Sequence, residues 1–99
     1  MKPCYVDRES WTTVELSALT DDLYYINRVI TPRLYRGKGH ASRLMQQVLD
    51  DADSDGASLV LEINPYGPMT HKALEVWYLR LGFKKVGRNL YKRSPKEQV

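Results

Sequence analysis

Apolar positions in this chain recur with two periods. Ala41, Leu44, Met45, Val48, Leu49 and Ala52 follow the i, i+3, i+4, i+7 spacing of one helix face, and Ser54-Asp55-Gly56 closes that helix. A second helical stripe, Ala73, Leu74, Trp77, Tyr78 and Leu81, runs into Gly82, which supplies a left-handed stop. Elsewhere the pattern predicts strands: residues 2–8, then 11–19 with their β-branched and aromatic content, and after a Thr20-Asp21-Asp22 turn residues 23–31. That third segment holds Tyr24, Tyr25, Ile26, Val29 and Ile30, is apolar on both faces and so belongs in the middle of a sheet until Pro32 stops it. Residues 58–63, with Leu59-Val60-Leu61 at their centre, read as a buried strand, and strand, helix, strand in that order predicts a parallel crossover. Asn64-Pro65-Tyr66-Gly67-Pro68 opposes both helix and strand. Residues 83–86 and 89–92 form a last strand or hairpin around Gly87-Arg88, before a polar tail from Ser94. No repeat and no dividing linker interrupts this order, so residues 1–99 read as one α/β domain with a mixed sheet of five or six strands, antiparallel on its N-terminal side, and two main helices.

Composition narrows the class. With 42% hydrophobic and 27% charged residues, collagen-like, low-complexity and wholly disordered chains are excluded. The apolar runs do not exceed the four residues of Val76-Trp77-Tyr78-Leu79, far below the ~20 that span a bilayer, and the N-terminus carries no apolar signal region. The expectation is a soluble cytoplasmic protein without a membrane partner; the single Cys4, unable to form an internal disulfide, fits a reducing compartment. Fifteen Lys and Arg against twelve Asp and Glu leave a net +3, which welcomes an anion without demanding a polyanion.

The informative segment is Arg36-Gly37-Lys38-Gly39-His40-Ala41, between a strand and an amphipathic helix. A helix mouth presents backbone N–H groups without internal partners, and helices usually satisfy them with Ser, Thr, Asp or Asn. Here the mouth offers Gly, Lys, Gly and His, leaving those donors for a ligand, while the glycines admit a phosphate close to the backbone and Arg36 and Lys38 match its charge. The segment lacks the third glycine of a dinucleotide fingerprint and the Gly-Lys-Ser/Thr ending of a P-loop.

These residues resemble the GNAT superfamily of N-acetyltransferases, whose signature is Gln/Arg-x-x-Gly-x-Gly/Ala at the start of a helix following a central strand. Arg28-Val29-Ile30-Thr31-Pro32 resembles the family segment whose main chain holds the pantetheine arm and acetyl carbonyl, and Trp77-Tyr78-Leu79-Arg80-Leu81-Gly82-Phe83 resembles its second signature. The resemblance covers residues 28–83. It implies acetyl-CoA as cosubstrate and acetyl transfer by direct attack of a primary amine: a protein or peptide lysine, an N-terminus or a small amine. By the same resemblance Arg36, Gly37, Lys38, Gly39, His40, Ala41 and Ser42 would bind pyrophosphate, Arg28, Val29 and Ile30 the arm, and the splayed strands 23–31 and 58–63 would hold it between them. Tyr78 would be the general acid, a phenol of pKa ~10 that holds its proton at pH 7. Glu62 matches a strand glutamate that acts as base in some relatives; a carboxylate on a strand also serves simply by facing solvent or pairing with Arg80 or Lys72.

Two departures stand out. His71 occupies the place of an asparagine that helps hold the cofactor in many members, seven residues before Tyr78, where it either contacts the cofactor or caps the helix. Only Glu9 and Ser10 separate the first two strands, so the helix pair that usually walls the acceptor pocket is missing. The acceptor site is then open to a protein or peptide, or a second subunit of a homodimer completes it, or the chain is a minimal variant resembling short bacterial or bacteriophage members. Trp77 reads as core, and Tyr24, Tyr25, Tyr35 and Tyr66 as packing and loop residues. His40 and His71, with no Cys pair or carboxylate at ligand spacing, predict no metal. Two alternatives of other classes remain: a CoA-binding regulatory module without catalysis, and a nucleic-acid-binding protein resting on Arg33, Arg36, Lys38, Arg43, Lys84, Lys85, Arg88, Lys92, Arg93 and Lys96.

Overall fold

The computed structural model describes residues 1–65 and 67–96; Tyr66, assigned above to loop packing, lies outside the described residues. The elements are β1 (Cys4–Asp7), β2 (Thr12–Thr20), β3 (Leu23–Ile30), a 3₁₀ turn (Arg33–Tyr35), α1 (His40–Asp55), β4 (Ser58–Glu62), α2 (His71–Arg80), β5 (Lys84–Lys85) and β6 (Leu90–Arg93). They form one mixed six-stranded sheet in the order β1-β2-β3-β4-β6-β5. Strands β1, β2 and β3 make an antiparallel meander, β3 and β4 run parallel through the α1 crossover, and β6 returns antiparallel between β4 and β5. The last hairpin is tighter than its sequence suggests, with β5 reduced to two residues and Val86 and Gly87 both donating to the Leu90 carbonyl.

Both helices lie on one face of the sheet. Arg93 and Tyr91, two apart on β6 and therefore on the same side, reach Asp53 of α1 and Glu75 of α2. Along β2 the same side carries buried Thr12, Val14 and Leu16, while Glu15 and Ser17 between them are exposed. The predicted stripe of α1 supplies Leu44, Met45, Val48, Leu49 and Ala52 to this one-sided core, joined by Tyr5, Ile26, Leu59, Leu61, Tyr78, Phe83 and Tyr91. No helix of the described residues covers the opposite face. None is long and apolar enough to cross a membrane.

Arg93, which the sequence groups with surface cations, is only 4% exposed. Its guanidinium donates to both oxygens of Asp53 at 2.9 and 3.0 Å, a bidentate pair that Lys96 N–H completes at 2.9 Å. The Arg93 hydrogen bonds hold the Asp53 carboxyl below the usual carboxylate range against the opposing effect of its burial. A depressed carboxyl stabilises the fold above its unfolded pKa, near 4, and this contribution disappears as pH falls through the lower folded value. Removing one partner of such a pair leaves the other buried and unpaired. Asp53→Ala is therefore expected to cost about 3 kcal/mol at pH 7, read by urea denaturation. The gap from the parent should narrow at pH 3; an equal gap at both pH values would contradict this account.

Candidate active site

The parallel pairing of β3 with β4 is short. Leu23, Tyr24 and Tyr25 oppose Ser58, Leu59 and Val60, and beyond this point no pair forms, although both strands continue. The strands part into a fork, and a cavity of about 650 Å3 opens between residues 26–31 on one side and 61–64 on the other. That volume lies in the range of small-molecule sites. The start of α1 and the inner side of α2, through Leu74, Trp77 and Tyr78, complete it.

The α1 mouth is built by two left-handed glycines. Gly37 has φ +78°, and the N-cap Gly39 has φ +80° and no side-chain cap. The first turn carries no acidic residue, so the dipole end is not neutralised from within the helix. Arg36 has a task not evident in its charge: its Nε donates to the Thr31 carbonyl at 2.9 Å and ties the loop to the end of β3. Thr31 is itself held by a polar chain, Asp7 to Ser10 (2.6 Å), Ser10 to Thr12 (2.7 Å) and Thr12 to Thr31 (3.1 Å), in which Ser10 and Thr12 are fully buried. The short turn between β1 and β2 thus braces the cradle. It starts β2 at Thr12 and leaves Trp11, expected in that strand, at φ +60° and exposed.

The same turn corrects the expectation that no carboxylate lies near a histidine. Asp7, Glu9 and His40 bring their ligand atoms within 4.8 Å of one another, an arrangement invisible in sequence because it joins a turn to a helix start more than thirty residues later. Arg43 sits in this group, with its guanidinium on His40 Nδ1 and 3.9 Å from Glu9. The hydroxyl of Ser10 holds the Asp7 carboxyl below its ordinary range.

Tyr78 is placed by the end of α2. Gly82, at φ +97°, lets Phe83 N–H reach the Tyr78 carbonyl and Gly82 N–H the Leu79 carbonyl, both at 3.1 Å, the paired bonds of a Schellman cap. The Phe83 ring then meets Tyr78 edge-on at 5.6 Å. Gly-Phe after the helix therefore fixes both the backbone and the ring of a tyrosine that is 7% exposed and lines the cavity. Trp77, expected in the core, packs against it and also lines the cavity, donating from Nε1 to Ser42 Oγ at 3.0 Å across the two helices.

Of the residues singled out above, the fold gathers Arg28, Val29, Ile30, Arg36, Gly37, Gly39, His40, Ala41, Ser42, Glu62 and Tyr78 around one cavity. Lys38 and His71 are not among its lining residues. His71 opens α2 with Nε2 3.0 Å from Asn89 Oδ1, while Thr70 caps the helix and Asn89 donates to the Ile63 carbonyl at 3.0 Å. Tyr35, treated above as packing, lines the cavity and meets His40 edge-on at 6.2 Å; its place directly before Arg36 was the available signal.

Residues 4–85 match the acetyltransferase (GNAT) domain family, and the chain belongs to it. It is by that membership an acyltransferase of a family that uses acetyl-CoA. Among curated proteins none matches the sequence. Among solved structures, the anti-CRISPR protein AcrVA5 superposes with a TM-score of 0.75 at 19% identity, over 94% of this chain and 100% of its own. The ribosomal-protein-S18-alanine N-acetyltransferase from Escherichia coli gives 0.72 at 16% identity, over 89% of this chain and 63% of its own. N-acetylglutamate synthase from Neisseria gonorrhoeae, crystallised with coenzyme A and L-arginine, gives 0.66 at 15%, over 87% and 22% respectively. The fold is thus shared with enzymes of which this chain spans under two thirds, and with AcrVA5, whose full length it covers.

An alanine at position 82 would have a Cβ in ordinary contact with Arg93, at 3.6 Å from Nε, so backbone strain at φ +97° is the main cost. Gly82→Ala should lower stability by roughly 1–2 kcal/mol in urea denaturation. An unchanged midpoint would show that the cap is not what fixes the end of α2.

Proposed function

We propose that the chain transfers the acetyl group of acetyl-CoA to a primary amine by direct attack. The observation that carries this reading is the single cavity that runs from an uncapped, glycine-built helix mouth to Tyr78 on one side of the fork and Glu62 on the other. The donor set fits the ligand: backbone N–H groups at Gly39 to Ala41 suit a pyrophosphate, and an apolar slot between Val29, Ile30 and Leu74 suits a pantetheine arm. The thioester, when bound, supplies an acyl group activated for attack.

The chain's own residues divide the proton work. An amine with pKa ~10.4 arrives charged and must lose a proton first, and the exposed Glu62 carboxylate takes it and passes it to water. The nitrogen lone pair then forms the C–N bond while the C–S bond breaks toward sulfur. Tyr78 gives its hydroxyl proton to that sulfur, and the second proton leaving the nitrogen restores it. The balance is amide, CoA thiol and one released proton. Arg36 lines the cavity and also holds the loop, through its Nε–H on the Thr31 carbonyl.

Calorimetric titration with acetyl-CoA and CoA, followed by a free-thiol assay with an amine panel, tests the reading. Micromolar binding with thiol release supports it, and binding without release would favour a CoA-binding module. Tyr78→Phe is expected to lower kcat about a hundredfold while leaving the acetyl-CoA Kd within about twofold. Gly39→Val, which forces a β-branched residue to φ +80°, is expected to weaken acetyl-CoA binding about tenfold or more. Equal loss of binding in both variants would contradict the division of roles.

A further inference from the structure

Asp7 closes β1, and two branches of contacts run from its carboxylate to the loop that opens α1. The first is the hydroxyl chain through Ser10, Thr12 and Thr31, and its proton directions are fixed. The Asp7 carboxyl lies below its ordinary range and is ionised at neutral pH. A carboxylate only accepts, so the single proton of Ser10 Oγ goes to Asp7 Oδ2 at 2.6 Å. Ser10 Oγ must then accept from Thr12, whose proton is thereby used, and Thr12 Oγ1 accepts in turn from Thr31. Three hydroxyls thus donate in one direction toward one negative charge, an arrangement in which each bond strengthens the next. Beyond Thr31 the branch continues through the backbone: the Thr31 carbonyl takes Arg36 Nε–H at 2.9 Å, which sets the start of the loop. The second branch reaches the other end. Asp7 Oδ2 lies 3.4 Å from His40 Nδ1, the nitrogen to which Arg43 donates, so Asp7 and Glu9 hold that guanidinium and its imidazole partner by charge.

We infer that Asp7 is a positioning residue for cofactor binding: it fixes both ends of the loop 36–40, and thereby the helix-mouth N–H groups that receive the pyrophosphate. The inference rests on the acetyl-CoA reading above. Its sign is opposite to what charge alone predicts. A carboxylate beside an anion site repels the anion, so if Asp7 acted only through its field, a neutral substitution would tighten binding. Positioning demands the reverse. Gly37 and Gly39 sit at φ +78° and +80°, and glycine has more backbone freedom to lose than any other residue, so a loop built on them keeps this shape only where its ends are held. Arg43 offsets the local repulsion, since its guanidinium sits on His40 and near Glu9 in the same cluster. The turn between β1 and β2 thus acts on cofactor affinity through Ser10 and Thr12, which are fully buried and do not line the cavity.

Calorimetric titration of the full chain with acetyl-CoA, paired with hydrogen–deuterium exchange of residues 36–42 without ligand, tests this. Asp7→Ala should raise the acetyl-CoA Kd about tenfold and speed exchange across the loop. Asp7→Asn keeps an acceptor for Ser10 and should stay within about threefold of the parent. Because Asp7→Ala leaves the buried Ser10 hydroxyl without an acceptor, a second variant cuts the chain at its last link alone. Thr31→Val removes one donor, keeps the carbonyl that Arg36 uses and strands no other donor, so the fold should hold while the Kd rises about fivefold and exchange speeds. Thr31→Ser restores the hydroxyl and should bring the Kd back to within about twofold of the parent. The inference is overturned if Thr31→Val leaves Kd and exchange at their parent values, or if Asp7→Ala binds acetyl-CoA more tightly than the parent. A parent that binds neither acetyl-CoA nor CoA fails the cofactor reading, and this falls with it; a parent that binds, with a Kd that Thr31→Val does not move, sinks the positioning role alone.

Discussion

Two strands that pair for three residues and then separate govern the molecule. A sheet that stayed continuous would bury its own backbone groups and leave no passage; the parting of β3 and β4 beyond Tyr25 and Val60 opens the only breach that the six-stranded order provides among the described residues. Everything around the breach compensates for it. Asn89 takes the Ile63 carbonyl just past β4, and Arg36 takes the Thr31 carbonyl past the end of β3. The cavity exists because side chains, rather than a neighbouring strand, satisfy its edges.

Those side chains are held in turn by features that look unrelated to chemistry. The buried chain from Asp7 through Ser10 and Thr12 fixes Thr31, so the turn between β1 and β2 also supports the α1 mouth. On the other wall the Schellman cap at Gly82 and Phe83 locks Tyr78, and Trp77 joins α2 to α1 through Ser42. The site is assembled from a meander, a crossover and a terminal hairpin, each contributing one fixed edge.

What could be read from the chain follows the range of the interaction concerned. The stripes of α1 and α2 and the central character of β3 depend on local periodicity, and they appear where the pattern places them. Arg36 to Ala41 was legible because a helix mouth is local, and Tyr78 because the glycine that caps its helix lies four residues away. Arg93 was misread as surface charge because its partner, Asp53, lies forty positions earlier. The meeting of Asp7 and Glu9 with His40 and the position of Tyr25 at the fork depend on register between distant strands, which composition and spacing do not encode. The one-letter pattern likewise gave no sign that the Arg36 side chain would turn back to Thr31 while its neighbours form the cradle.

The fork also lies on a seam in the topology. Strands β1 to β3 form from contacts between chain neighbours, whereas β4 joins them only after the α1 crossover, through three rungs. A ligand seated in the cavity touches residues 26–31 from the first half and 61–64 from the second, and so clasps two parts that the backbone ladder joins weakly. Whatever free energy such a ligand gains by preferring the closed fold is added to the cohesion of those halves. The breach that admits the substrate thus becomes, when filled, a rivet between the early and late parts of the chain.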